Sequence, residues 1–374
     1  MKSINVKDRS AYNENLNSVS VKGIDYIELY VGNALQGAHF FRTAFGFRPV
    51  AYTGLETGER DRVSFIMEQG QIRLILTSAT SPDSPVAEHV KLHGDGVKDI
   101  AFVVDDVSQA FALAVKRGAT PVLPPTAFEG QEGRLVKATI AACGNMVHSI
   151  TQLTGSQRSF SAPYRPLAKA PPAFPTGLKA IDHIAVNVER GALDRWVDFY
   201  QNVLDFRLSH QEDVFTESSA MNSKVVQNFD GSVKFPIIEP AAGRRKSQIE
   251  EYLEFNRGPG AQHIAFLSDN IVETVRQLRE NNIEFLLSPD AYYQMLKPRV
   301  GEIDVDLDSL RNLSILADRD PWGYLLQIFS KPLQSRPTLF VEIIQRVGAR
   351  GFGGGNIRAL FEAVEREQSL RGNL

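Results

Sequence analysis

The sequence predicts an α+β fold of two homologous halves, each built from paired βαβββ modules curled into an open β-barrel. Three observations predict it: an internal repeat, a proline-rich break between its copies, and in each copy an amphipathic helix set among short alternating strands. The repeat comes first. Gly23-Ile24-Asp25-Tyr26-Ile27, running on to Phe45-Gly46-Phe47, returns as Ala180-Ile181-Asp182-His183-Ile184, running on to Leu204-Asp205-Phe206. Gly94-Asp95-Gly96-Val97-Lys98-Asp99-Ile100-Ala101-Phe102 returns as Gly258-Pro259-Gly260-Ala261-Gln262-His263-Ile264-Ala265-Phe266. Positions 26 and 183 lie 157 apart and positions 99 and 263 lie 164 apart, so the matches keep both order and spacing. Between the copies, Ser161 to Lys179 carries Pro163, Pro166, Pro171, Pro172 and Pro175, a density that supports neither a helix nor a central strand. We therefore expect an N-terminal domain over residues 20–160, a linker over 161–179 and a C-terminal domain over 180–374. Helical periodicity marks Ala38 to Ala44 and Leu193 to Val203; alternation marks strands such as Arg62 to Met67, Arg73 to Thr77 and Val233 to Ile238. Curved sheets of this kind pair into a barrel with a ligand-sized interior. No glycine-rich turn of the dinucleotide-binding type is present, which disfavours a Rossmann domain.

Composition narrows the function. The 374 residues are 43% apolar and 23% charged, ample for two cores. Forty-one Lys and Arg against 44 Asp and Glu leave a net charge of −3, too balanced for a nucleic-acid partner. A single cysteine, Cys143, excludes an intramolecular disulfide and a thiolate-built metal site. Met1 to Ser20 is polar, and no run of about 18 apolar residues could span a bilayer. The expectation is a cytoplasmic protein with neither a membrane nor a nucleic-acid partner.

The repeat also points to chemistry, because ordinary residues in one copy align with metal-ligand types in the other. His183 stands where the first copy has Tyr26, and His263 stands where it has Asp99. Both lie in apolar strand contexts from which a side chain can point into the barrel. Glu342 is an ionisable residue inside the apolar run Leu339 to Ile344, and a carboxylate there needs a cation or a strong partner. Two histidines and one carboxylate form the facial set that holds non-haem Fe(II) and leaves positions open. One such histidine alone would ordinarily be a hydrogen-bonded core residue; the three together are candidate ligands. The remaining histidines, His39, His89, His93, His148 and His210, have no partner set and read as structural or solvent-facing. Around the proposed metal, Ser223, Gln248 and Gln262 offer polar groups, while Phe329, Phe340 and Phe361 offer an aromatic wall, a pairing that suits a planar aromatic acid. Gly351-Phe352-Gly353-Gly354-Gly355-Asn356 reads as a lid hinge leading into a helix over Ile357 to Leu370, with Asn356 as its N-cap.

Over residues 20 to 374 the chain resembles the 4-hydroxyphenylpyruvate dioxygenase and 4-hydroxymandelate synthase group of the vicinal-oxygen-chelate fold. The stretches that carry the likeness are Ala261 to Ala265, Leu325 to Phe329, Arg336 to Ile344, and Gly351 to Asn356 with the helix after it. The resemblance implies one Fe(II) per chain held by His183, His263 and Glu342. It also implies a pocket in which Ser223, Gln248 and Gln262 are the polar members, and Phe329, Phe340, Asn356 and Phe361 shape the wall and a C-terminal helix that closes the site. The implied substrates are 4-hydroxyphenylpyruvate, an aromatic 2-oxo acid, and O2. One branch of the group forms homogentisate and the other 4-hydroxymandelate.

Two departures bear on the branch. The dioxygenases typically read Pro-Ile-Asn-Glu-Pro where this chain has Pro236-Ile237-Ile238-Glu239-Pro240, and they place Phe after the Gly-rich Asn where this chain has Ile357. Losing the amide removes a hydrogen-bond partner, and losing the ring relaxes the wall that presses the substrate towards iron. These changes, with Ala220 to Ser223 and Val225 to Gln227, look like the mandelate branch; Pro236 and Glu365 to Gln368 look like the dioxygenase branch. The expected function is 4-hydroxymandelate formation, with the homogentisate-forming dioxygenase as the alternative and a non-catalytic aromatic-ligand-binding protein of the same fold as a third reading. The first half is expected to serve as scaffold and as the surface of a homo-oligomer, dimer or tetramer.

Overall fold

The computed structural model describes residues 18–130, 133–154, 163–216 and 218–373. Most of the polar N-terminal stretch and the first two residues of the expected linker lie outside them. The first half contributes β1 (Gly23–Tyr30), β2 (Arg48–Thr53), β3 (Arg62–Gln69), β4 (Ile72–Ala79), β5 (Gly96–Val103), β6 (Pro121–Gly130), β7 (Gly133–Ala141) and β8 (Val147–Thr154), with helices α1 (Ala34–Phe45), α2 (Pro85–His93) and α3 (Val107–Lys116). A two-residue strand, β9 (Arg165–Pro166), follows. The second half contributes β10 (Leu178–Asn187), β11 (Arg207–Phe215), β12 (Ala220–Gln227), β13 (Lys234–Pro240), β14 (Gly260–Ser268), β15 (Leu316–Asp320), β16 (Gly323–Phe329) and β17 (Phe340–Val347). Its helices are α4 (Leu193–Leu204), α5 (Gln248–Asn256), α6 (Ile271–Glu280), the short α7 (Asp290–Gln294), α8 (Leu296–Val300) and α9 (Leu307–Leu313), and the C-terminal α10 (Gly354–Leu370).

The strands form two sheets with matching topology. One runs β6-β7-β8-β5-β1-β4-β3-β2-β9 and the other β11-β12-β13-β10-β14-β17-β16-β15. In each, the central pair is antiparallel (β1 with β5, β10 with β14), and each central strand has a parallel outer neighbour. This is the expected pair of βαβββ modules, used twice.

The central pairs do not run in perfect register. The ladder between β10 and β14 carries extra residues at Lys179, near its end, and at Asp182 and Gln262 beside the two histidines. The β1–β5 ladder carries its extra residues at the corresponding Asp25 and Lys98. A bulge bends its strand and re-aims a side chain that strict alternation would send to the opposite face.

Several boundaries differ from the sequence expectation. Asn33 starts α1 four residues early, its side chain accepting the Gln36 N–H at 3.0 Å. Strand β10 takes the last two residues of the expected linker. Arg165–Pro166 pairs with β2 at the sheet edge, where a proline costs no ladder bond on its outer side. The C-terminal helix begins at Gly354, so Asn356 is not its N-cap: Gly353, at φ 74°, takes that place, and Asn356 lies in the first turn.

One apolar core runs through both halves. Where they meet, Phe102 and His148 of the first half pack with Phe206, Phe235 and Tyr200 of the second, at ring separations of 5.6 to 6.1 Å. His148 is fully buried there, between the Ile100 carbonyl and the Tyr200 hydroxyl. Because this cluster belongs to both halves, Phe235→Ala should cost about 3–5 kcal/mol and lower one shared unfolding transition. Two separated transitions in calorimetry of the wild-type protein would show that the halves do not depend on each other.

Candidate metal centre and pocket

His183 on β10, His263 on β14 and Glu342 on β17 come from three neighbouring strands of the second sheet, and their ligand atoms lie within 4.8 Å of one another. His183 pairs in register with Ala265, and Ala265 with Glu342, so the residues between the ligands are small and the three side chains meet over them. His183 Nε2 is 3.2 Å and His263 Nε2 3.6 Å from the same Glu342 Oε2. All three residues are buried, Glu342 with 1% of its surface exposed.

Each ligand is held from behind. The bulge at Asp182 brings its carboxylate to the histidine beside it, Oδ1 lying 2.8 Å from His183 Nδ1. Arg346 grips the same carboxylate through two N–H groups at 2.7 and 2.8 Å, and it also donates to the Gly351 carbonyl at 2.6 Å. Burial opposes charge on Asp182, but hydrogen bonds from His183 and Arg346 outweigh it and hold the carboxyl well below the usual range. The bulge at Gln262 places its Oε1 3.3 Å from His263 Nδ1, and the His263 ring stacks on Phe340 at 4.9 Å. Gln327 Nε2 donates to Glu342 Oε1 at 2.8 Å. Gln327 Oε1 accepts from Asn356 Nδ2 at 3.0 Å, and Asn356 Oδ1 accepts from the Tyr292 hydroxyl at 2.6 Å. This chain of bonds ties the carboxylate to the first turn of α10. Gly353 has to be glycine on two counts: its φ is positive, and a Cβ there would meet Gln327 Oε1 at 2.6 Å.

The donor set fits a divalent cation. Two imidazole nitrogens and one carboxylate oxygen turn towards one point, and cis ligands about 2.1 Å from a shared ion stand about 3 Å apart, close to the spacing seen. Burial disfavours the His183 cation, but the carboxylates of Glu342 and Asp182 outweigh burial and raise its pKa, whereas burial and the neighbouring His183 push His263 well down.

Beside these ligands lies a narrow cavity of about 50 Å³. Ser223, Ile238, Gln248, Gln262, Phe329 and Ile357 all line it. Three expected pocket residues do not. Phe340 sits behind His263, Asn356 points to Gln327, and Phe361 is fully buried beside Ile238 and Ile249. Gln248 Oε1 is buried at the cavity wall with no partner among the described residues, which points to a ligand atom as its partner.

Several lining residues were not foreseen. His210 and Glu212 of β11 face the cavity with their polar ends 3.5 Å apart, so His210 is not the bystander that its lack of a sequence partner suggested. Phe352 closes one side with its ring 5.2 Å from His183. Gln327 stands in a stretch whose motif was legible, but only its contact with Glu342 gives it a role. His39, His89 and His93 are engaged elsewhere, with Arg42, Tyr30 and the Asn256 carbonyl.

The chain matches the Glyoxalase/Bleomycin resistance protein/Dioxygenase superfamily over residues 23–135 and 180–328. It is 41% identical over 373 residues to a 4-hydroxyphenylpyruvate dioxygenase of Yarrowia lipolytica, covering 95% of this chain and 94% of that protein. A 4-hydroxyphenylpyruvate dioxygenase of Danio rerio is 42% identical over 362 residues, 93% of this chain and 91% of that one. Among solved structures, a triple mutant of 4-hydroxymandelate synthase from Streptomyces coelicolor superposes with a TM-score of 0.82 at 38% identity, covering 93% of this chain and 99% of that chain.

Removing the group behind a ligand should weaken the metal without removing the ligand. Asp182→Asn should lower Fe(II) or Co(II) affinity about 10–100-fold in a metal titration, and an unchanged affinity would take Asp182 out of the site's design. Metal uptake must also displace the proton that Glu342 and Asp182 favour on His183. Affinity should therefore fall as pH is lowered, with proton release on binding detectable in weak buffer.

Proposed function

Because the chain belongs to the Glyoxalase/Bleomycin resistance protein/Dioxygenase superfamily, and within it to the 4-hydroxyphenylpyruvate dioxygenase and 4-hydroxymandelate synthase group, we propose that it is an Fe(II) enzyme converting 4-hydroxyphenylpyruvate and O2 to 4-hydroxymandelate and CO2. The observation that carries this reading is a buried two-histidine, one-carboxylate set opening onto a largely apolar cavity whose wall includes both Ile238 and Ile357.

His183, His263 and Glu342 would hold one iron per chain. Bound Fe(II) would supply a chelation site for the 2-oxo acid and the activation of O2 that oxidative decarboxylation and hydroxylation need. The chain's own residues do the rest. Asp182, fixed by Arg346, holds His183 Nδ1 and so keeps Nε2 aimed at the metal position. Gln327 occupies one oxygen of Glu342 and leaves the other facing the histidines. Gln248, with its free carbonyl, and Ser223 and Gln262 offer the few polar contacts that orient an aromatic acid. Phe329, Phe352, Ile357 and Leu360 exclude water from the space beside the metal.

The cavity is tight for an aromatic oxo acid. Admission of substrate therefore requires the Phe352 segment and the first turn of α10 to give, and the Glu342–Gln327–Asn356 bonds report that movement to the metal ligand. Ile238 offers no hydrogen bond and Ile357 no ring, so the substrate's aromatic end is held less firmly than its chelating end. That looseness favours attack at the side-chain methylene over attack at the ring.

A specific observation favours a second reading: the relatives at 41% and 42% identity over nearly their whole length are 4-hydroxyphenylpyruvate dioxygenases, whose branch forms homogentisate. We place the enzyme in the cytoplasm as a homo-oligomer with the first half as subunit surface. Among the described residues no helix is long and apolar enough to cross a membrane.

The deciding experiment loads the protein with Fe(II) without air, adds 4-hydroxyphenylpyruvate and air, and separates the products against both standards, which are isomers of equal mass. A dominant mandelate peak is expected; dominant homogentisate would establish the second reading. Ile357→Phe should raise the homogentisate fraction, and an unchanged ratio would remove that position from the choice. Glu342→Ala and His263→Ala should each reduce turnover to background, and full activity in either would dissolve the proposed ligand set.

A further inference from the structure

The N-terminal barrel has a place that corresponds strand for strand to the metal centre. Tyr26 pairs with Ala101 as His183 pairs with Ala265. Asp99 pairs with Glu28 and Val147 as His263 pairs with Ala185 and Phe340. Two residues further along these parallel ladders, Ser149 falls where the second half has Glu342. The antiparallel pair Thr139–Ser149 then matches Phe329–Glu342, and Lys137–Thr151 matches Gln327–Ile344. The extra residues that bulge the central strands, Asp25 and Lys98 here and Asp182 and Gln262 there, also correspond.

The side chains at these positions close on one another. The Tyr26 hydroxyl donates to Asp99 Oδ2 at 2.9 Å, and the Ser149 hydroxyl donates to the same oxygen at 2.5 Å. The Ser149 backbone N–H donates to Asp99 Oδ1 at 2.9 Å. Lys137 brings its ammonium to 2.7 Å from the Tyr26 hydroxyl and 3.4 Å from Asp99 Oδ2. Asp99 is 2% exposed and Ser149 fully buried. Glu28, the nearest further carboxyl in register, is bound by the Thr77 hydroxyl at 2.6 Å.

We propose that this cluster is the first half's counterpart of the metal centre with its cation internalised: the Lys137 ammonium takes the place of the metal ion among Tyr26, Asp99 and Ser149, so this half takes up no metal. Both barrels have the same problem, a carboxylate sealed among apolar strands, and each needs positive charge beside it. The second half leaves Gln327, a neutral donor, next to its carboxylate and keeps two nitrogen ligands for an ion. The first half has a compact ammonium with three donors at that position, and Tyr26 and Asp99 in place of the two imidazoles. The inference stands on the first half alone and does not depend on the reaction assigned to the second.

Two measurements test it. Lys137→Met should lower Tm by roughly 5 °C or more, because Asp99 is left buried without its counter-charge, and adding Asp99→Asn should recover most of that loss. A Lys137→Met protein as stable as wild type, or no recovery in the double variant, overturns the internal cation. The second uses full-length His263→Ala protein, whose second-half set keeps only His183 and Glu342, and adds Tyr26→His, Asp99→His, Ser149→Glu and Lys137→Gln. Titration with Co(II), followed by visible absorption, should show about one more equivalent bound than in His263→Ala alone. A variant that is folded by circular dichroism yet binds no additional Co(II) overturns the correspondence. If the combined variant does not fold, the Tm pair decides.

Discussion

A carboxylate sealed inside an apolar barrel is the constraint on which the second half depends. Glu342 is buried to 1% exposure on a strand whose neighbours are Val341, Ile343 and Ile344. Leaving such a charge unpaired costs several kcal/mol. The chain surrounds it with two imidazoles and the Gln327 amide, and these partners fix the remaining geometry. His183 must face inward, so Asp182 bulges to hold it; Asp182 must be charged, so Arg346 pairs with it. Arg346 also bonds the Gly351 carbonyl, which carries the same set of constraints into the loop before α10.

The C-terminal helix is coupled to this constraint more directly than packing alone would achieve. Asn356 spends its side chain on Gln327 and Tyr292 instead of capping its own helix. Gly353 takes over as the cap because only a residue without Cβ fits against Gln327 at positive φ. Asn356 in the first turn of the helix and the candidate ligand Glu342 are thus two hydrogen bonds apart, through Gln327, and movement of one is felt by the other.

Much of this was legible in the sequence. The repeat, the proline-rich break and the contrast between Tyr26 and His183, or Asp99 and His263, point to two halves and to candidate ligand types in the second, where the fold brings His183, His263 and Glu342 together. Six of nine expected pocket residues reach the cavity: strand alternation turns Ser223, Ile238 and Phe329 inward, a bulge re-aims Gln262, and Gln248 and Ile357 arrive on the first turns of helices. Alternation misleads at the bulges. Read strictly, it places Asp182 opposite His183 and Gln262 opposite His263, whereas one extra residue in each ladder lets both reach the histidine beside them. His210 was set aside because its partner Glu212 acquires meaning only when β11 curls over the pocket. Asn356 has the residue type of a cap, because Asn favours that position locally, but its side chain bonds Gln327 and Tyr292 instead.

By itself, then, the sequence determined the duplicated α+β architecture and the chemical identity of the three candidate ligands, because periodicity, repeats and residue type are local properties that survive without coordinates. Only the tertiary structure decided which atoms meet: the two bulges, the Glu342–Gln327–Asn356 connection, and Lys137 beside Asp99. These depend on register between strands far apart in the chain, and a slip of one residue would turn each of those side chains to the opposite face.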